Sequence, residues 1–117
     1  MIRLFDGELK LMELLWQSEP VSAKELSVRA AQEVGWNKNT TYTVLKKLVE
    51  KGAVRREEPG FTCTSLVGKA DVGRAETDSL IDKLYGGSRK AFFAAFLEDE
   101  RLSQQELKEL RDMIDKR

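Results

Sequence analysis

The feature that most restricts the possible folds of this chain is the segment WNKNTTYTVLKKLVEKG, residues 36–52. Its apolar side chains recur at the spacing of one buried helix face, while the opposite face carries hydroxyl and basic groups. Asparagine is a preferred N-cap residue and glycine is typical at the C-terminal end of a helix. Asn37 and Gly52 therefore predict where this helix begins and ends. The predicted buried stripe consists of Thr41, Val44, Leu45, Leu48 and Val49.

The apolar pattern changes its period after this helix. Residues 53–57 and residues 61–65 are rich in side chains that favour strands. The turn-forming segment Glu58-Pro59-Gly60 separates them. We therefore predict a β-hairpin immediately after the helix.

Two further helices are predicted before residue 36. The first lies in GELKLMELLWQ, with Asp6 as its N-cap and Pro20 after its end. The second begins at a capping box formed by Ser22 and Glu25 and extends to about Glu33. The apolar side chains expected to face the core are Leu9, Met12, Leu15 and Trp16 in the first helix, and Val21 and Leu26 around the start of the second.

Three helices followed by a hairpin is the element order of a winged helix-turn-helix domain, which we place at residues 1–66. The remaining residues, 67–117, are predicted to be helical. They form helices over 71–85 and 88–98, and a last helix after a capping box of Ser103 with Glu106. The fold class is therefore mainly α with a small β-hairpin wing, followed by a C-terminal helical domain.

The C-terminal helices carry more apolar side chains than so small a helical unit can bury alone. Exposed apolar patches of this extent usually mark interfaces, and a symmetric dimer is the simplest way to cover one. We therefore expect residues 67–117 to form a dimerisation domain. The side chains expected at the dimer interface are Leu80, Leu84, Phe92, Phe93, Phe96, Leu97, Leu107, Leu110 and Ile114.

The composition excludes several classes of site. The chain has 117 residues, no histidine and one cysteine, Cys63, so a disulfide scaffold, a Cys/His zinc site and a Cys–His nucleophile pair within one chain are excluded. No close pair of carboxylates stands out, and we expect neither an enzyme nor a bound cofactor. The N-terminus lacks a signal-peptide core and no apolar run is long enough for a membrane span, which predicts a cytoplasmic protein.

The charge distribution points to an anionic partner. The net charge is zero, yet residues 38–56 hold six basic side chains against one acid, Glu50. In a helix-turn-helix protein the second helix of the motif enters the major groove, where Asn and Thr can bond to base edges and Lys can neutralise phosphate. The outward positions are Lys38, Asn39, Thr40, Tyr42, Thr43, Lys46 and Lys47, and Arg55 and Arg56 begin the hairpin, where a wing would follow the DNA backbone.

Two alternatives stand beside DNA binding. A basic amphipathic helix is often only a solvated face, and a winged-helix fold also hosts protein-interaction modules without sequence-specific DNA binding. Cys63, in the second strand of the predicted hairpin, is interpreted as a packing residue rather than a redox switch.

The segments FDGELKLMELLW, WNKNTTYTVLKKLVEKG and YGG…LSQQELKELRDMIDK together resemble the penicillinase repressor (BlaI/MecI) family over nearly the whole chain. The resemblance implies a cytoplasmic, dimeric winged-helix repressor of genes such as β-lactamase genes. It also implies binding to palindromic operators, of TACA/TGTA type in the best-known members. It places Asn39, Thr40 and Thr43 in the major groove.

The chain departs from the family pattern at three places. The family is released from DNA when a membrane-bound sensor-protease signal leads to cleavage of an Asn-Phe bond, and the equivalent bond here is Ala95-Phe96. We interpret Phe96 as a buried residue of the dimer core. The C-terminal cluster of four cysteines found in copper-responsive relatives is missing, and the wing tip Glu58-Pro59-Gly60 is short and not basic.

Overall fold

The computed structural model describes residues 2–117. Contacts divide the chain into two compact units, a first unit that ends at Arg74 and a second unit from Ala75 to Arg117. The helices are α1 (Asp6–Ser18), α2 (Ala23–Glu33), α3 (Lys38–Glu50), α4 (Lys69–Leu84), α5 (Arg89–Leu97) and α6 (Gln104–Asp115), and the strands are β1 (Val21–Ser22), β2 (Val54–Glu57) and β3 (Thr62–Ser65). The predicted fold class, mainly α with a small wing, is confirmed. The functional division after residue 66 stays a prediction.

The core of the first unit lies between α1, α2, α3 and the sheet. α3 packs against α1, α2 and β2, and α1 also contacts β3. Thr41, Leu45 and Leu48 of the predicted α3 stripe are fully buried, and Val44 and Val49 pack at its edge. The other fully buried large side chains are Leu11, Met12, Leu15, Leu26, Val54 and Cys63.

The start of α1 differs from the prediction. The N-cap is Phe5 rather than Asp6, and the Phe5 backbone N–H donates to Glu8 Oε1 at 2.7 Å. A carboxylate three residues after the cap satisfies the N–H of the cap residue whatever side chain that residue carries. Asp6 becomes the first helical residue, where its charge favours the helix dipole.

The buried face of α1 also differs from the predicted one. Leu11 and Leu14 are buried beside Met12, whereas Leu9 and Trp16 are only partly buried and pack at the edge of the core. The Trp16 indole N–H donates to the backbone carbonyl of Val67 at 3.0 Å. The buried face is therefore rotated relative to the predicted stripe.

The hairpin belongs to a three-stranded antiparallel sheet with the order β1-β3-β2. β2 and β3 pair as predicted, with Val54 opposite Ser65 and Arg56 opposite Cys63. β1 was not predicted. It has two residues, too few for a periodic pattern, and it forms because Val21 pairs with Cys63 across the sheet.

The predicted N-caps of the next two helices, Ser22 and Asn37, are confirmed, and of the Ser22–Glu25 capping box the structure shows the bond to the Ser22 side chain. Ser22 Oγ accepts the Glu25 N–H at 3.1 Å, and Asn37 Oδ1 accepts the Thr40 N–H at 2.8 Å. α3 ends as expected, because Gly52 has a φ of +80° and lets the Ala53 N–H turn back to the Leu48 carbonyl at 2.9 Å.

The second unit consists of helices with well-formed starts and little burial. Ser88 caps α5 through the Ala91 N–H at 3.0 Å. Ser103 and Glu106 form the predicted capping box of α6, with bonds of 3.0 and 3.1 Å. Among residues 75–117, the structure buries Ile81, while most of the larger apolar side chains remain exposed.

Candidate nucleic-acid interface

The turn before α3 fixes where the helix begins and therefore which residues of α3 lie at the surface. Gly35 has a φ of +80°, and its N–H and the Trp36 N–H both donate to the Ala30 carbonyl, at 3.0 and 3.3 Å. The Trp36 ring lies against Gly7 of α1. The Asn37 side chain then caps α3, so its carbonyl oxygen is used within the protein.

The first two turns of α3 present polar side chains to solvent. Asn39, Thr40 and Thr43 are exposed, and the polar ends of their side chains form no hydrogen bond among those found in residues 2–117. Thr41, between them, is buried, and its hydroxyl donates to the Asn37 carbonyl at 3.3 Å. Neighbouring threonines of one segment therefore have opposite roles, since one is packed in the core and the others can contact a ligand.

Basic side chains border this polar surface. Lys38, Lys46 and Lys47 are exposed along α3. Lys38 Nζ lies 5.6 Å from the centre of the half-buried Tyr42 ring, close enough for a cation–π contact. An amide and two hydroxyls flanked by ammonium groups can bond to base edges and neutralise phosphates in one approach.

The wing arginines are not free cations. Arg55 Nε lies 2.7 Å from Glu57 Oε1, and both side chains are exposed. The Arg56 guanidinium carbon lies 4.8 Å from the centre of the Phe61 ring. Phe61 was not predicted as a site residue, although an aromatic residue beside the wing-tip glycine was a signal for it. Of the two wing arginines, Arg55 is paired with an acid, whereas Arg56 lies on an aromatic ring and has no ion pair with an acid among residues 2–117.

Lys51 belongs to the basic segment in the sequence but points into the protein. Its Nζ lies 2.6 Å from Glu8 Oε1 and 2.9 Å from the Arg3 carbonyl. Burial alone would raise the pKa of the Glu8 carboxyl. The hydrogen bonds from Lys51 and the Phe5 N–H, with the positive charges of Lys51 and Lys47, outweigh burial and lower that pKa below its ordinary value. The charge that the segment offers to a partner is correspondingly smaller.

Cys63 lies in β3 with no exposed surface. Burial raises the pKa of its thiol, which the nearby charge of Arg56 only partly offsets. Because the thiolate is the reactive form, a raised pKa and full burial both suppress its reactivity.

The side chains expected at a dimer interface lie in the second unit. α5 and α6 form a groove of about 390 Å³. Leu84 is 70% exposed, Phe96 is 43% exposed, and Phe92 is half-buried with its ring centre 5.5 Å from that of Tyr85. The groove is lined by Phe93, Phe96, Leu97, Leu110, Met113, Ile114 and Arg117. Leu107 is half-buried in α6, and Leu80 is exposed in α4.

The Ala95-Phe96 peptide bond lies in the last turn of α5. The Ala95 carbonyl accepts the Glu98 N–H at 3.3 Å, and the Phe96 carbonyl accepts the Asp99 N–H at 3.1 Å. Both side chains are exposed, but the backbone on either side of the bond is hydrogen-bonded.

Two other kinds of site are missing from residues 2–117. No group of three or more Cys, Asp or Glu side chains in this range is placed to hold a metal ion. None of the helices in the same range combines the length and the apolar character that a membrane crossing requires.

A family model described as Penicillinase repressor matches residues 5–116. The Penicillinase repressor of Bacillus licheniformis is 25% identical over 115 residues, which cover 97% of this chain and 90% of that protein. The Methicillin resistance regulatory protein MecI of Staphylococcus aureus (strain N315) is 29% identical over 113 residues, which cover 95% of this chain and 92% of that protein.

A solved structure is also similar. It is the solution structure of the monomeric form of BlaI from Bacillus licheniformis in complex with the blaP half-operator. The two chains share 26% sequence identity with a TM-score of 0.55, and the match covers 61% of this chain and 90% of that chain.

Proposed function

Because the chain belongs to the penicillinase repressor family, we propose that it is a dimeric transcriptional repressor that binds a palindromic operator through its winged helix-turn-helix. The observation that carries the proposal is the exposed polar surface on the first turns of α3. The Asn37 cap fixes the start of this helix. The similarity to BlaI bound to a half-operator supports it. The site of action is the cytoplasm, where bacterial operator DNA lies.

The bases are contacted by Asn39, Thr40 and Thr43. These three side chains are exposed on consecutive turns at the N-terminal half of α3, which is the part of a recognition helix that meets base edges. Asn can form two bonds to adenine, and Thr can accept or donate a bond or touch a thymine methyl. Sequence preference therefore depends on uncharged side chains.

The phosphates are contacted by the side chains that border this surface. Lys46 and Lys47 are exposed and supply point charges, while Lys38 beside Tyr42 offers an ammonium and a phenol hydroxyl together. In the wing, Arg56 keeps its charge available, whereas Arg55 must exchange its bond to Glu57 for one to a phosphate. We therefore expect Arg56 to contribute more to affinity than Arg55.

The dimer forms through the second unit. The exposed apolar side chains of α4, α5 and α6 are covered by the same surface of a second copy, as the two-fold symmetry of a palindromic operator requires. Two recognition helices would then contact half-sites about one helical turn apart, ~10 base pairs, or a multiple of that spacing.

The proposal is tested by titrating labelled duplexes that contain a TACA/TGTA palindrome, with a scrambled duplex as reference. The wild-type protein should prefer the palindrome by at least about a thousandfold, and its affinity should fall as salt rises. Thr40→Ala and Thr43→Ala should each reduce that preference by about tenfold or more. Ser79→Ala removes a hydroxyl from α4 and serves as the control.

A wild-type protein that binds the palindrome no better than the scrambled duplex would contradict operator recognition. Binding to an acidic protein that is unchanged by Thr40→Ala and Thr43→Ala but lost with Phe96→Asp, together with no preference for the palindrome, would instead favour a protein-interaction module.

The family resemblance raises the Ala95-Phe96 bond as a point of proteolytic release through a membrane-bound sensor-protease, although Ala95 replaces the asparagine of the family and we interpret Phe96 as a residue of the dimer core. The same resemblance suggests that the genes controlled are of the β-lactamase type. Proteases act on extended backbone, so the last turn of α5 must first unwind. Co-expression with a sensor-protease under induction should yield fragments that end at Ala95 and begin at Phe96, as found by mass spectrometry. An intact chain under the same conditions would argue for another mode of release.

A further inference from the structure

Lys51 and Glu8 join the C-terminal end of α3 to the start of α1. Glu8 is only 4% exposed, and its Oε1 accepts two bonds, from the Phe5 N–H at 2.7 Å and from Lys51 Nζ at 2.6 Å. The two residues lie 43 positions apart in the sequence. Glu8 Oε2 is buried and has no hydrogen-bond partner among residues 2–117. The carboxylate is therefore held mainly by one helix cap and one ammonium group.

The Lys51 ammonium has used its bonding capacity inside the protein. It donates to Glu8 Oε1 and to the Arg3 carbonyl, and it lies 4.4 Å from the centre of the Phe5 ring. Two of its three N–H donors are used in these hydrogen bonds, and the ring contact holds the same ammonium group. Unlike Lys46 and Lys47, which are exposed, Lys51 is half-buried and directs its charge to partners within the protein.

We propose that the Glu8–Lys51 pair is a positioning element that sets the direction of α3, so that operator specificity depends on two residues that do not touch DNA. The proposal rests on the DNA-binding function proposed above. Glu8 and Lys51 are positioning residues, which act through Asn39, Thr40 and Thr43.

Directional contacts are needed because the rest of α3 is held largely by apolar packing. Leu45 and Leu48 are fully buried, but burial of apolar surface is not directional. A polar pair in a largely apolar setting has one good geometry and can therefore fix a register. α3 spans 13 residues, about 20 Å at 1.5 Å per residue, so a tilt of about 5° about Lys51 would move its first turn by about 1.5 Å. A displacement of that size breaks a two-bond contact to a base.

The charge of Glu8 makes the proposal distinguishable from simple electrostatics. Replacing Glu8 by Gln removes a negative charge from a protein that binds a polyanion, so electrostatics alone predicts tighter DNA binding. A positioning role predicts weaker binding to the palindrome and unchanged binding to scrambled DNA. The two accounts therefore predict opposite signs.

The experiment measures the ratio of palindrome to scrambled affinity for the full chain, well below the melting temperature and over a range of salt. The variants are Glu8→Gln, Lys51→Met and the double variant. The double variant removes both charges yet leaves an amide oxygen for the Phe5 N–H, and it keeps the test informative if a single variant fails to fold. The control is the exposed pair of Lys69 and Glu13, 2.8 Å apart in the same unit, changed to Met and Gln.

We expect Glu8→Gln, Lys51→Met and the double variant each to lower the ratio by about tenfold, so that the loss in the double variant is similar to that in each single variant rather than their sum. Binding to the scrambled duplex and the slope of log affinity against log salt should stay as in the wild type. The control variants should keep the wild-type ratio.

Three results would overturn the inference. A folded double variant with the wild-type ratio would show that the pair is only structural. A slope reduced by about 0.9 in Lys51→Met would identify a phosphate contact instead. Tighter palindrome binding by Glu8→Gln would identify an electrostatic effect. A wild-type protein without any preference would overturn the proposed function, and the inference with it.

Discussion

The two units of this protein differ in how far their apolar side chains are buried. In the first unit, Leu26 and Leu48 are completely buried in a shared core of helices and sheet. In the second unit, Leu84, Phe93 and Ile114 are more than half exposed, although α5 and α6, which carry Phe93 and Ile114, both have capped N-termini. Good local structure is therefore present in both units, but only the first one completes a core with its own residues.

The hydrogen bonds of side chains show the same contrast. In the first unit, Trp16 reaches Val67 across 51 positions of sequence, and the Ser65 N–H and hydroxyl both donate to Glu19 across 46. In the second unit, by contrast, the Arg89 side chain donates to Asp78, only 11 positions away. The first unit is fixed by directional long-range contacts, while the second is a set of helices whose apolar surface suits a partner.

The largest effect should come from a cavity in the first unit. Leu48→Ala should lower its free energy of unfolding by about 2–5 kcal/mol, because a fully buried leucine leaves both a transfer loss and a cavity. Leu84→Ala, the matched change in the second unit, should alter it by less than about 0.5 kcal/mol. Urea unfolding followed by the fluorescence of Trp16 and Trp36 reports on the first unit. Equal losses in the free energy of unfolding for the two variants would contradict the difference in burial between the two units.

The next largest effect should be on self-association. Phe96 and Phe61 are both 43% exposed, one in each unit, and this makes them a matched pair. Phe96→Asp should weaken the dimer by more than about a hundredfold, roughly 2.7 kcal/mol, because it places a charge in an apolar interface. Phe61→Asp should leave association unchanged. Sedimentation without DNA measures both, and a dimer that survives Phe96→Asp would exclude the α5–α6 groove as its interface.

A smaller effect is expected from the helix caps. Asn37→Ala should cost the first unit about 1 kcal/mol, because the Thr40 N–H loses its acceptor at the start of a helix packed into the core. Ser103→Ala removes a capping box of similar local strength from α6. It should lower the helical signal in circular dichroism without moving the tryptophan-detected transition. A shift of that transition by Ser103→Ala would show that the two units unfold together.

The contrast between local and long-range contacts also explains what the sequence could predict. The Asn37 cap and the Gly52 end of α3, and the α6 capping box, each depend on residues within five positions of each other, and all three are confirmed. β1 escaped prediction because two residues carry no period, and its strand exists only through pairing with Cys63.

In the candidate site, too, features that depend on local sequence were predictable and those that depend on long-range contacts were not. The chemistry of Asn39 and Thr43 follows from residue type and helical position, so the polar surface of α3 was predictable. The inward turn of Lys51 was not predictable, because its partner Glu8 lies 43 positions away and the lysines before it in the same segment, Lys46 and Lys47, are exposed. The pairing of Arg55 with Glu57 likewise required the structure of the hairpin.

The smallest effect should be on the pH dependence of stability. The folded-state pKa of Glu8 is lowered, so its ion pair adds stability above the ordinary glutamate pKa, and this stability is lost as the pH falls through the folded-state pKa. Asp99 in the second unit also has a lowered pKa, caused by hydrogen bonds from the Arg101 side chain and backbone. Since Arg101 is exposed, salt should screen that pair.

Acid titration of the tryptophan-detected free energy of unfolding separates the two carboxyls. Glu8→Gln should flatten its decline as the pH falls below the ordinary glutamate pKa, in low and high salt alike, because the pair is largely shielded from solvent. Asp99→Asn should leave the curve unchanged. An Asp99→Asn curve as flat as that of Glu8→Gln would mean that an exposed local pair in the second unit stabilises the core of the first, and the distinction between the units would then not hold.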